Sequence, residues 1–270
     1  MTKEVVERIL SSSASDRRKF IKRVGATGIG VAAATMMGGS LTHLKAAGLK
    51  PTNDDQILNF ALNLEYLEAE FYSVATTGQT LVELGIIKAS ATSGPTTGGQ
   101  KVNFSGSSFD FLATALASDE QTHVLYLRSA LGSKAVPKPT INLDALGYGF
   151  ASPDDFLKLG RQFEDVGVSA YLGAAPSISS STYLAAAAAI MATEAQHSGS
   201  LRLECILNNV VSPAVDSLDV PPTTSTPYDV DKNALSIPRT TAQVLNIVYG
   251  GGSCSGGFYP DGMNGSIKCQ

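Results

Sequence analysis

The sequence is poor in the residues that small folds use for crosslinks and soft-metal sites. Its 270 residues include no tryptophan, three cysteines and three histidines. With no Cys-x-x-Cys pair, the cysteines exclude a disulfide-dense miniprotein and a thiolate zinc module. Charged residues make up 16% and hydrophobic residues 43%, a balance that supports a packed core and excludes a disordered chain. No apolar run reaches the ~20 residues a membrane-spanning helix needs. A Gly-x-x-x-x-Gly-Lys-[Ser/Thr] phosphate loop and a Gly-x-Ser-x-Gly elbow are also missing, which removes the commonest nucleotide and serine-hydrolase readings.

Positive charge is lacking over most of the chain. Residues 48–270 carry twelve Lys/Arg against twenty-one Asp/Glu, so no basic face is available to neutralise phosphates, and nucleic acid is excluded as a partner. Residues 1–47 reverse the balance, eight against three. There Asp16-Arg17-Arg18-Lys19-Phe20-Ile21-Lys22-Arg23 precedes a weakly apolar Gly/Ala-rich run over 24–39, and the combination resembles a twin-arginine export signal. The glycines of Gly25-Ala26-Thr27-Gly28-Ile29-Gly30 follow no strand pattern, so a dinucleotide loop fails its context. We therefore expect 1–47 to be a signal peptide cleaved near Ala46 or Ala47, membrane contact only during export, and a periplasmic or secreted product. An oxidising compartment lets Cys254 and Cys269 pair, while Cys205 lies in a helical pattern and reads as a buried thiol.

Apolar spacing predicts four helices over 48–208. Asn53-Asp54-Asp55 offers a cap before Ile57, Leu58, Ala61, Leu62, Leu64, Leu67 and Phe71, giving a first helix over 54–76. A Ser/Thr/Gly-rich insertion with one short strand follows. The second helix runs from Ser107 or Ser108 to Leu131, closed by Gly132. Ser152-Pro153-Asp154-Asp155 opens the third, which ends near Ala175-Pro176. The fourth starts among Ser177–Ser181 and ends near Asn208. Residues 209–270, with six prolines, read as an irregular tail on the outside of the bundle, with a short helix over 240–249. Some twenty residues between the second and third helices span up to ~66 Å, enough to cross the length of a bundle and restart at its far end.

Two of the three histidines stand three residues after a glutamate: Glu120-Gln121-Thr122-His123 and Glu194-Ala195-Gln196-His197. Residues i and i+3 share a helix face, so each pair presents a carboxylate and an imidazole together. The other two helices each place a Glu seven residues before a Tyr, Glu65 with Tyr72 and Glu164 with Tyr171. The first hairpin is thus repeated by the second, as a symmetric dinuclear site requires. Glu68 is the register rival of Glu65, one turn on. Asp119 and Asp165 flank the pattern but point about 100° away. A metal-free alternative makes Glu65, Glu68 and Glu70 a solvated face and the histidines ordinary core residues; an unpaired carboxylate on an apolar stripe argues against it. His43 falls in the export segment and is not a ligand candidate.

The order Glu65, Glu120-x-x-His123, Glu164, Glu194-x-x-His197 resembles the ferritin-like superfamily of dinuclear iron or manganese proteins. Leu64-Glu65-Tyr66-Leu67-Glu68-Ala69-Glu70-Phe71-Tyr72 and Glu164-Asp165-Val166-Gly167-Val168 are similar to its exported, desiccation-related members, as is Val244-Leu245-Asn246-Ile247-Val248-Tyr249-Gly250 in the tail. The resemblance implies an all-α four-helix bundle with one long crossover, and two Fe or Mn ions. Glu65, Glu120 and His123 would serve one ion and Glu164, Glu194 and His197 the other, with Glu120 and Glu194 bridging. The insertion and the tail would obstruct a closed 24-subunit shell, so iron storage is not expected. The function expected is redox chemistry on O₂, peroxide or ferrous iron, oxidative stress being its setting, with a small-molecule oxidant as partner. The alternative is a stress- or desiccation-associated envelope protein whose site is structural or vestigial.

Overall fold

The computed structural model describes residues 54–270, so the signal peptide expected over 1–47 lies outside the described residues. Four long helices form the bundle: α1 (Asp54–Thr77), α2 (Asp110–Leu131), α3 (Pro153–Ala174) and α4 (Ser181–Leu207). A fifth, α5 (Thr241–Val248), stands in the tail. Local chemistry explains the ends. The Ser152 side chain accepts from the Asp155 N–H ahead of Pro153 at the start of α3, and Thr240 and Gln243 close a reciprocal capping box on α5. Asp54 accepts from the Ser179 and Ser180 N–H groups, tying the start of α1 to the start of α4.

Side-chain pairs fix the helix directions. Tyr66 meets Arg128 and Ser73 meets Gln121, so α1 and α2 are antiparallel. Tyr171 meets Glu65 and Tyr72 meets Glu164, so α1 and α3 are antiparallel too. It follows that α2 and α3 run the same way, and the connection over 132–152 must return along the whole bundle. Contacts between Asp165 and Ser198 and between Leu157 and Cys205 set α4 against α3. This is the all-α crossover bundle that the sequence implied.

The connections are held by paired polar groups. The insertion and the crossover share a short parallel pair, β1 (Thr96–Thr97) with β2 (Ile141–Asn142). Buried Lys138 donates to Thr96 Oγ1 and the Gly94 carbonyl and stands 3.7 Å from Glu70 on α1. The core includes an aromatic cluster in which Phe71 contacts Phe150, Phe156 and Phe163. Gly173 lets the tail approach α3 closely: a Cβ there would lie 2.0 Å from the Arg239 carbonyl oxygen. Cys254 and Cys269 are joined by a disulfide and Cys205 is a buried free thiol. Among the described residues no helix is long and apolar enough to cross a membrane.

Candidate metal centre

All six ligand candidates converge in the middle of the bundle, each from a different turn of α1 to α4. Glu65, Glu120, Glu164 and Glu194 are fully buried, and His123 and His197 are nearly so. They fall into two quartets, Glu65 with Glu120, His123 and Glu194, and Glu164 with Glu120, Glu194 and His197. Within each, the offered ligand atoms all lie within 4.8 Å of one another. Glu120 and Glu194 belong to both. The solvated-face reading of α1 does not hold, because Glu65, Glu68 and Glu70 are all buried.

His123 Nδ1 stands 3.2 Å from Glu65, 3.0 Å from Glu120 and 3.0 Å from Glu194. His197 Nδ1 stands 2.9 Å from Glu120 and 3.4 Å from Glu164. On its far side His197 Nε2 is 3.2 Å from the half-exposed Asp119. A hydrogen bond from Nε2–H to that carboxylate leaves the Nδ1 lone pair directed inward, as a metal-binding imidazole requires. The tyrosines add a crossed pair: Tyr72 of α1 donates to Glu164 of α3 at 2.6 Å, and Tyr171 of α3 donates to Glu65 of α1 at 2.5 Å. Their spacing was readable in the sequence; their crossing was not, because it depends on α1 and α3 being antiparallel.

Charge, more than shape, marks the cluster as incomplete. Glu65 Oε2, Glu120 Oε1, Glu164 Oε2, both Glu194 oxygens and His197 Nδ1 are buried without a well-formed hydrogen bond. Five carboxylates, counting Glu68, surround two imidazoles. Burial pushes Glu65 up to about 7, and burial together with Glu120, Glu164 and Glu65 holds Glu194 well above the carboxylate range. Burial opposes ionisation of Glu120 as well, yet His123 and His197 close beside it draw it down to about 2. His197 is likewise driven up to about 12, against its own desolvation, by Glu120 and Glu164. The protein alone thus neutralises the cluster by capturing protons. Two divalent cations would balance the four ligand carboxylates and leave the imidazoles neutral and free to coordinate. Hard oxygen donors with two imidazoles suit iron or manganese.

A family model described as "Ferritin-like domain" matches residues 53–205, more than half of the chain. The chain belongs to that family. The match covers the bundle from α1 to the last turn of α4 and includes all six ligand candidates. A desiccation-related protein, PCC13-62 of Craterostigma plantagineum, is 29% identical over 169 residues, 56% of this chain and 53% of the relative. The alignment thus spans about half the length of that curated relative. The ferritin-like catalase Nec2 of Nesocodon mauritianus is 24% identical over 268 residues, covering 79% of this chain and 84% of its own.

Two residues near this ferritin-like centre stand differently from the six ligand candidates. Asp119 was set aside for pointing away from the ligand face, yet it meets the outward nitrogen of His197. Glu68 lies in neither quartet, but it is buried one turn from Glu65 and feels the charges of Glu194, Glu164, Glu120 and Glu65.

Proposed function

We propose that this ferritin-like protein holds two Fe or Mn ions bridged by Glu120 and Glu194 and disproportionates hydrogen peroxide. The observation that carries the reading is the set of buried carboxylate and imidazole atoms left without a well-formed hydrogen bond, which two cations would satisfy together. The catalase relative, aligned over most of both chains, favours peroxide over ferrous iron as substrate. Two redox-active ions would supply a reversible two-electron store, so that one peroxide is reduced to two waters and a second is oxidised to O₂. The chain's own residues orient and enclose the store. Tyr72 and Tyr171 fix the two terminal carboxylates, and Asp119 fixes one imidazole. Protein containing two ions per chain is expected to release one O₂ for every two peroxides consumed; loaded protein that releases none overturns the reading.

The twin-arginine motif and the disulfide between Cys254 and Cys269 support export, with the metals loaded in the folded protein before release. A truncated product starting near residue 48 outside the cytoplasm would bear this out, and retention of the full chain inside would refute it. The desiccation-related relative supports a second reading, in which the centre is structural and the protein protects an envelope without catalysis. A deletion strain sensitive to drying and rescued by a Glu120→Ala variant would favour it.

A further inference from the structure

A cavity of about 340 Å³ lies between α1, α3 and the tail. Leu67, Phe163, Val166, Val215, Ile247 and Phe258 give it an apolar wall. Cavities of this size fall within the range of small-molecule sites, and half the volume already accommodates benzene. Its polar lining is mostly satisfied. Tyr148 donates to Gln162 at 2.8 Å, and Gln162 donates to the Pro213 carbonyl at 2.7 Å. Glu68, the one charged side chain in the wall, differs. It is 5% exposed, and no described residue hydrogen-bonds to it.

Gly167, also in the wall, makes room for this carboxylate at the edge of the metal cluster. A Cβ there would stand 3.0 Å from Glu68 Oε1 and 3.5 Å from Glu194 Oε2. With no side chain at 167, the cavity's acid and Glu194 face the same small space. A buried carboxylate without a partner is costly in an apolar wall, and it is the group that an occupant of the cavity would reach.

We propose that this cavity binds a small, uncharged organic molecule with an apolar ring of one or two fused cycles and a hydroxyl group, the hydroxyl hydrogen-bonding to Glu68. A hydroxyl fits because it both donates and accepts, and so pairs with the side chain in either protonation state. The apolar body replaces contacts that the cavity otherwise forgoes. The site needs the cavity and Glu68, not the metals, so it stands or falls separately from peroxide chemistry.

The probe is 2-naphthol, followed by fluorescence titration of the whole protein with metal content measured in each sample, and naphthalene is its hydroxyl-free comparator. Wild type is expected to bind one 2-naphthol per chain. Val166→Trp on α3 and Ile247→Trp on α5 fill the cavity from different elements, and each is expected to weaken binding about tenfold or more. Glu68→Leu is expected to weaken 2-naphthol about tenfold while leaving naphthalene unchanged, because only the hydroxyl loses a partner. The proposal is overturned by non-saturable binding to wild type, by full affinity in both tryptophan variants, or by equal loss of the two probes in Glu68→Leu.

Discussion

Glu164 and Asp165 are neighbours on α3, both buried, and they enter opposite kinds of cluster. Asp165 accepts from Arg202 at 2.6 Å and Ser198 at 2.6 Å, with Arg161 at 3.4 Å. Arg161 also grips Asp219 at 2.7 Å, Ser212 and the Pro213 carbonyl, and Arg202 reaches the Val220, Thr226 and Pro227 carbonyls. Asp165, Asp219 and both arginines there have protein partners of opposite charge, and the result pins the tail to the bundle. Glu164, one residue earlier, has Tyr72 on one oxygen and no hydrogen bond on the other. Three carboxylates also come within ligand distance of one another on the Asp165 side, namely Asp165, Asp219 and Asp229. Proximity of acids alone therefore does not identify a metal centre. The discriminating feature is whether the protein supplies the counter-charge itself.

The sharpest way to break this contrast is to remove a counter-charge. Arg202→Met leaves Asp165 buried without its closest cation and frees three carbonyls, and loss of one partner from such a pair costs about 3–5 kcal/mol. The variant is expected to be severely destabilised in urea, and added Mn²⁺ or Fe²⁺ is expected to restore none of the loss. Recovery on adding metal would mean that the arginine cluster, too, is a cation site.

The corresponding change on the other side should act through the metal alone. Glu194→Ala or Glu120→Ala removes an acid common to both quartets, so elemental analysis is expected to show both ions lost together. His123→Ala should preferentially lose one. Metal-free Glu194→Ala is expected to be no less stable to heat than metal-free wild type, since a carboxylate repelled by Glu120, Glu164 and Glu65 has gone. In the wild type, metal at a hundred times its dissociation constant should add about 2.7 kcal/mol. Glu68→Leu is the register control and is expected to retain both ions. Two metals per chain in Glu120→Ala would show the ligand assignment to be wrong.

Much of this contrast was legible in the sequence, because helical periodicity is short-range. The spacing of Ile57, Leu58, Leu62 and Leu64, the cap at Ser152 and the repeated Glu-x-x-His are local signals, and they sufficed for the bundle and for the six convergent residues. What was not legible depends on residues far apart in the chain. Asp165 was correctly set apart from the ligand face, but nothing local tells that Arg161 and Arg202 enclose it, or that Ser212 and Asp219 arrive from the tail. Asp119 failed for a related reason. Its direction was read correctly, yet the ring of His197 is long enough to meet it from the neighbouring helix.

That contact gives the next prediction. Asp119→Asn keeps the size and removes the charge that orients His197, and loss of such a partner typically weakens metal binding about 10–100-fold. Competition with a chelator is expected to show one ion weakened and the other nearly unchanged. Equal weakening of both would place Asp119 in a general surface field and not on one imidazole.

The smallest expected effect tests whether the arginine cluster is fully balanced. Three carboxylates, Asp165, Asp219 and Asp229, face two arginines, so one negative charge is left over. Asp229 is the natural place for it: its Oδ1 lacks a partner, and burial, with the charge of Asp165 next, pushes it up to about 6. Folded protein therefore keeps a proton on Asp229 at pH values where the unfolded chain has released it. Between about 3.8 and 6 the folded state binds more protons, so this residue's contribution falls as pH rises and its full cost is reached above 6. Asp229→Asn imitates the protonated form at every pH. It is expected to leave thermal stability unchanged near pH 4 and to raise it near pH 7.5 by about 1 kcal/mol, allowing for solvent screening of a partly exposed group. In a domain of this size that is roughly 2–4 °C. A loss at pH 7.5 would mean that Asp229 is a counter-charge Arg202 requires. The arginine cluster would then be balanced only with all three aspartates ionised.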